Sequence, residues 1–250
     1  MRFENKILLA TGAASGLGAA VARRFTREGG RVALIDLHAE RLEALAGELV
    51  GSLPIAADVS NEDAVQRAVA QAHAHFGRID CVFNSAGFVD FAPIEEWTLE
   101  RWNRLLGVHL GGTFLVCKNV LPIMRGQGGG VIVNVASIAA MVAQRNNAAY
   151  GAAKGAIIAF SRQLALEAAP LVRVNAIAPG GVLTGMTAPL WQARAGGDLA
   201  QGVAQAGARS MMQRVAEADE IAGPVCFLFS DEASFMTASV LVADGGETVV

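Results

Sequence analysis

Short β-rich runs alternate with helical patterns along the whole chain. This alternation predicts an α/β fold: a single domain on a doubly wound parallel sheet of seven strands, with helices on both faces. Two further observations agree. Several of the β-rich runs are apolar at consecutive positions, as strands covered on both faces must be. A glycine-rich turn, TGAASGLG, joins the first run to the first helical pattern.

Strands are expected at residues 6–10, 31–35, 53–57, 81–83, 131–135, 172–177 and 240–242. Helices are expected at 17–28, 39–49, 62–76, 99–125, 148–168 and 218–228. No linker, repeat or low-complexity segment interrupts them, so one domain spans 1–250, with residues 1–135 mainly a cofactor half and 136–250 a catalytic and substrate half. Only residues 183–214 break the rhythm. They are rich in Gly, Ala and Gln, with Trp191 and three methionines, and read as a lid over a site.

With 53% hydrophobic and only 17% charged residues, the chain has enough apolar surface for a large core and for burial between subunits. A net charge of −3 gives no electrostatic basis for binding nucleic acid. Cys81, Cys117 and Cys226 form no CxxC pair and are odd in number, which favours reduced thiols and a cytoplasmic location. The N-terminal residues lack the apolar core of a secretory signal. No run of ~20 apolar residues escapes interruption by Gly, Pro or charge, so no membrane span is expected.

In the glycine turn, Gly12 permits the tight bend, Gly16 lets the backbone approach a pyrophosphate, and Gly18 allows close helix packing. The phosphates would meet the free N–H groups at the helix start, including those around Ser15 and Leu17. The second strand runs into Asp36. A carboxylate there accepts hydrogen bonds from ribose hydroxyls and repels a 2′-phosphate, and its neighbours Leu37 and His38 offer no Arg or Lys. NAD is therefore expected over NADP. Asp58 and Val59 suit the adenine edge and face; Asn84, Ala86 and Gly87 close the fourth strand.

Tyr150 and Lys154 stand one helical turn apart in YGAAK, thirteen residues after Ser137. An ammonium beside a phenol favours the phenolate, and a phenol otherwise titrates at ~10, too high for a base near neutrality. Ser137 lacks a G-x-S-x-G turn and a nearby histidine, which argues against hydrolase chemistry. No metal cluster is read.

TGxxxGxG, NSAG, Ser137, YGAAK and a later Pro179-Gly180 occur in an order and spacing that resemble the short-chain dehydrogenase/reductase family over essentially the whole chain. The resemblance implies a Rossmann-type fold, a nicotinamide cofactor, and a homotetramer or dimer built on the helices at 107–125 and 148–168. It implies that Tyr150 is the general acid/base, that Lys154 holds the nicotinamide ribose and lowers the tyrosine pKa, and that Ser137 binds the substrate oxygen. Val182 and Thr184 would join Pro179 and Gly180 beside the nicotinamide.

Two positions depart from the family pattern. His109 stands in a catalytic slot where the family has asparagine, whose main chain supports a proton relay. Three outcomes stay open: a tolerated replacement, a relay through the imidazole itself, or an impaired protein. Ala238 stands where the family commonly has glycine, with little consequence expected.

Candidate substrate residues are Val89, Phe91, Ala139, Met141, Gln144, Asn147, Met186, Leu190 and Trp191. This mostly apolar set suits a secondary alcohol or ketone with a substantial, cyclic or hydrocarbon body; a sugar or polyol would call for more amides and carboxylates. Two alternatives remain: an NADP-dependent ketoacyl-type reductase, and a dinucleotide-binding sensor or scaffold without turnover.

Overall fold

The structure, a computed structural model, describes residues 1–249. Its strands are β1 (Ile7–Thr11), β2 (Arg31–Asp36), β3 (Leu53–Ala56), β4 (Cys81–Asn84), β5 (Gly130–Val135), β6 (Val172–Pro179), β7 (Val182–Leu183), β8 (Ala216–Glu217) and β9 (Val240–Ala243). Seven of them form one parallel sheet in the order β3-β2-β1-β4-β5-β6-β9. The order reverses between β1 and β4, and the crevice above such a switch point is where open α/β sheets bind ligands.

The alternation of side chains along β1 explains why both faces are dry. Leu8 and Ala10 enter one apolar layer with Val21 and Phe25 of α1 (Gly16–Arg27), Leu42 of α2 (Ala39–Glu48) and Val225 of a later helix. Leu9 enters the opposite layer with Val65 and Val69 of α3 (Glu62–Phe76). Removing this apolar area from water is the main term holding the sheet to its helices. All three cysteines are buried free thiols, as the sequence predicts.

The helix expected over 99–125 is instead α4 (Leu99–Leu106), one turn of π-helix (Gly107–Gly111) and α5 (Gly112–Gly126). A π turn adds a residue to the helical ring and is a frequent feature of functional sites. Here it carries His109. Leu99–Gly126 is long and apolar enough by composition to cross a membrane. Its Val116, Val120 and Met124 nevertheless lie in the core layer against the sheet, and Lys118 pairs with Glu62 of α3 at 2.6 Å. It is a core helix.

After α6 (Ala148–Ala168), the segment read as an irregular lid folds into two short helices, α7 (Ala188–Arg194) and α8 (Leu199–Gly207). A parallel ladder between β7 and β8 ties both ends of this lid together. The chain then runs through α9 (Ala218–Phe229), which carries Val225, into β9.

Ala238 has a consequence its sequence did not announce. It sits at φ 57° just before β9, with its N–H donating to the Val174 carbonyl at 2.7 Å. An L side chain in this left-handed region costs about 1–2 kcal/mol. Ala238→Gly should therefore raise unfolding free energy by about 0.5–1 kcal/mol and the melting temperature by roughly 2–4 °C. Urea and thermal unfolding monitored by circular dichroism would check this; a destabilised variant would contradict the strain argument.

Candidate active site

The carboxyl ends of β1, β2 and β4 open into a cleft of about 660 Å³. Its residues fit a dinucleotide. Ser15 is the N-cap of α1 but makes no side-chain cap bond, which leaves first-turn N–H groups available to an anion. Gly12 lies at φ 64°, and a Cβ there would stand 2.9 Å from the Ala86 backbone. A Cβ on Gly18 would overlap the Gly12 carbonyl, so only glycine fits where α1 leaves the turn. Asp36 is fixed by two backbone donors: Ala14 N–H to Oδ2 and His38 N–H to Oδ1, both at 3.0 Å. Each oxygen keeps a further lone pair for a hydroxyl donor.

The same cleft is lined by Gly16, Leu17, Leu37, Asp58, Val59, Ala86, Gly87, Pro179, Gly180, Val182 and Thr184. Asn84 is the exception. It is buried beneath the cleft, and its Nδ2 donates to Asn134 Oδ1 at 2.9 Å, while Asn134 donates to Ser161 Oγ at 2.9 Å. It supports the cleft floor and does not line it. A strand-end amide flanked by buried neighbours turns inward to find a partner. Sequence reading also passed over Phe88, Arg104, Val108 and Arg41, which line the cleft. Arg41 follows Asp36 by five residues, in the first turn of α2, which puts a basic group near the adenosine end.

Ser137, Tyr150 and Lys154 converge at the inner end of this cleft. Ser137 follows the end of β5, and its Oγ accepts from the Ala139 N–H at 3.1 Å. Lys154 Nζ donates to the Val135 carbonyl at 2.7 Å and lies 5.5 Å from the Tyr150 ring centroid. Burial pushes the Tyr150 phenol up to about 12, with Ser137 opposing it, and pushes the Lys154 ammonium down to about 7. The shift is opposite in sign to the lowering that the sequence led us to expect, because burial outweighs the effect of Ser137.

His109 faces this trio. Its ring packs edge-on to Tyr150 with centroids 5.4 Å apart, and its Nε2 lies 2.7 Å from the Phe88 carbonyl oxygen. The Phe88 N–H also lies 3.2 Å from the same Nε2, so whether Nε2 donates or accepts follows the tautomer, while Nδ1 is buried without a partner among the described residues. Burial and the Lys154 charge lower its pKa to about 3, so the imidazole is neutral near pH 7. A Cβ on Gly87 would overlap the His109 ring, so the two residues occupy one shared space. The His109 carbonyl accepts from Thr113 Oγ1 at 2.7 Å.

The predicted substrate residues separate. Met186 lines the cleft, and Phe91 lies 6.2 Å from the Tyr150 ring. Ala139, Gln144 and Asn147 line a neighbouring cavity, with Asn147 Nδ2 donating to Gln144 Oε1 at 2.9 Å. Met141 is exposed. Val89 and Leu190 are half-buried and outside the cleft lining, where Phe88 takes the place expected of Val89. Trp191 is buried inside the lid: its backbone meets Gly202 of α8, and its ring lies near Gly181. Its bulk was read as pocket wall but serves to pack α7 on α8.

Comparison with known proteins follows the same lines. Residues 12–248 match the family model described as Enoyl-(Acyl carrier protein) reductase. D-threitol dehydrogenase of Mycolicibacterium smegmatis is 42% identical over 99% of this chain and 95% of its own. Levodione reductase of Leifsonia aquatica is 36% identical over 99% of this chain and 96% of its own. A crystal structure of levodione reductase superposes with a TM-score of 0.94 at 34% identity, covering 100% of both chains. The crystal structure of NAD+-bound xylitol dehydrogenase gives a TM-score of 0.92 at 36% identity over 98% of this chain and 100% of that one. With fold, strand order and sequence kinship in accord from end to end, the chain belongs to the short-chain dehydrogenase/reductase family.

Proposed function

We propose that the protein is an NAD-dependent dehydrogenase that interconverts a secondary alcohol and a ketone on a cyclic substrate. One observation carries this reading: Ser137, Tyr150 and Lys154 share a single cleft with the glycine turn and Asp36. An acid/base and a dinucleotide cradle that open into one space suit hydride transfer.

NAD supplies the hydride acceptor. The protein's own residues bind, orient and move a proton. Ser137 Oγ and the Tyr150 hydroxyl hold the substrate oxygen. In oxidation Tyr150, as phenolate, takes the hydroxyl proton while hydride leaves the carbinol carbon; in reduction the phenol returns it. Lys154, anchored on the Val135 carbonyl, holds the nicotinamide ribose beside Tyr150. Asp36 favours NAD through the ribose hydroxyls. Arg41, which also lines the cleft, favours NADP, since a cation there suits a 2′-phosphate.

His109 is read as a tolerated replacement. Its Nε2 is engaged by Phe88 and its ring stays neutral, so it packs the site and leaves proton transfer to Tyr150. Relatives named for threitol and xylitol run against the sequence argument that disfavoured polyols. In this chain Phe88, Phe91 and Met186 around Tyr150 favour a ring. Phe114 of α5 and Leu166 of α6 are exposed apolar residues, and we read these faces as covered by further copies in a homotetramer.

The direct test is NADH formation at 340 nm on cyclic and linear secondary alcohols, with NAD and NADP in parallel. Turnover with NAD, absent in Tyr150→Phe while NAD binding persists, is the expected result; equal use of NADP would overturn the Asp36 argument. Because burial holds Tyr150 protonated through neutral pH, oxidation should rise with pH by up to about tenfold per unit while reduction stays flat near neutrality. A pH-independent oxidation rate would exclude Tyr150 as the titrating base. His109→Asn should keep kcat within about threefold yet lose about 1–2 kcal/mol of stability through the space vacated beside Gly87 and Tyr150. A large loss of kcat, measured with stability intact, would assign the imidazole a chemical role.

A further inference from the structure

The segment after β4 brings aromatic rings to the acid/base without secondary structure of its own. Residues 85–93 form neither helix nor strand. They nevertheless present Phe88 to the cleft and hold the Phe91 centroid 6.2 Å from that of Tyr150. A free connection of this kind samples many backbone conformations, and keeping one of them costs entropy that contacts must offset.

Those contacts come from α4 and the 3-10 turn before it, Ile94–Glu96. Arg101 grips Asp90 with two donors: Nε to Oδ2 at 3.1 Å and Nη2 to Oδ1 at 2.5 Å. Its Nη1 donates to the Glu96 carbonyl at 3.3 Å, and its guanidinium carbon lies 4.6 Å from the Trp97 centroid. Trp97 Nε1 donates to the Ala92 carbonyl at 3.2 Å, and the Ala92 N–H donates to the Asn146 carbonyl at 3.1 Å. Phe91 is thus bracketed by an anchored residue on either side. Thr98 sets the origin of the grip: its Oγ1 accepts from the Arg101 N–H at 3.2 Å and caps α4. One turn further, the Arg104 guanidinium carbon lies 5.3 Å from the Phe88 centroid, so one face of α4 holds the segment at two points.

A partly exposed ion pair contributes little when its geometry is loose. A bidentate fork differs, because two parallel bonds fix direction as well as distance. The grip also reaches the chemistry through packing: Phe88, Trp97 and Tyr150 lie in one apolar cluster with Leu105 of α4. Arg101 is not itself among the residues lining the cleft, so it acts through this segment.

We propose that Arg101 is a positioning residue for substrate selection: its fork on Asp90 holds the Phe88–Phe91 segment against Tyr150 and so sets how closely the site fits a ring. This inference rests on the dehydrogenase reading above and deepens it, by naming what fixes the aromatic wall.

The test compares kcat/KM for cyclohexanol with that for propan-2-ol, using NAD and the full chain. The wild type should prefer the ring. Arg101→Met keeps the apolar stem over Trp97 and removes the donors; Asp90→Asn keeps the shape and removes the charge. Each should lower the ring-to-linear ratio by about threefold to tenfold, through KM for the ring alcohol, with KM for NAD unchanged. The double variant should fall no further than either single one, since both break the same pair. Arg101→Lys should recover little, because an ammonium has no planar fork. A wild type without preference for the ring, or an unchanged ratio in both single variants, would overturn the proposal and leave the dehydrogenase reading standing.

The hold on the segment is also measurable without turnover. In Arg101→Met the Ala92 amide should exchange with solvent about tenfold faster by NMR, while the amides of β5 stay protected. Unchanged exchange at Ala92 would overturn the proposal whatever the kinetics show. Faster exchange there, with no alcohol oxidised by the wild type, would uphold the grip of Arg101 on the segment and defeat the dehydrogenase reading.

Discussion

A single buried lysine organises the candidate site of this protein. Lys154 has almost no solvent contact, and its Nζ donates to the Val135 carbonyl at 2.7 Å. A cation in such a place is costly unless its donors are used. That bond fastens the first half of α6 to the carboxyl end of β5. Two residues past Val135 the chain delivers Ser137; one turn back along α6 stands Tyr150. Helix pitch and one backbone carbonyl thus set the position of three functional groups. Were Lys154 on a solvated face, its rotamers would be free and Tyr150 would be placed by packing alone.

Beneath that layer runs a chain of buried polar groups. Asn84 of β4 bonds Asn134 of β5, Asn134 bonds Ser161 of α6, and Ser161 Oγ donates to the Ile157 carbonyl at 2.7 Å. This sequence of bonds crosses from sheet to helix one level below Lys154. Such networks specify one arrangement because any slip leaves a buried group unpaired. The pairing of Asn84 with Asn134 across β4 and β5 also fixes the register that presents Ala86 and Gly87 to the cleft.

What could be read from the sequence follows from how physics is written in it. The seven strands were legible because apolar runs buried on both faces have a short, dense signature. Tyr150 and Lys154 were legible because their spacing matches a helix turn, and Ser137 because it precedes them in the family's motif order. The π turn at Gly107–Gly111 was not, since one extra residue in the ring leaves the apolar pattern of 99–125 nearly unchanged. Asn84 was misplaced because a strand end points either way, and hydrogen-bond demand decides which. Trp191 was misread because bulk alone does not say whether a ring lines a pocket or packs a lid; its neighbour Gly202, far along the chain, settles that. Ala238 showed only as a residue type, while the cost lies in its φ.

Of the two departures from the family pattern, His109 lines the cleft, where packing rather than motif decides. An imidazole is bulkier than the amide it replaces, and the added volume is accommodated because position 87 has no side chain; a Cβ there would overlap the ring. The same ring then reaches the Phe88 carbonyl and holds the chain that leads to Phe91. Phe91 in turn stands between Tyr150 and Arg194. His109 thus joins the packing around Tyr150 to the chain at Phe88 and Phe91, and through Phe91 to Arg194 of α7.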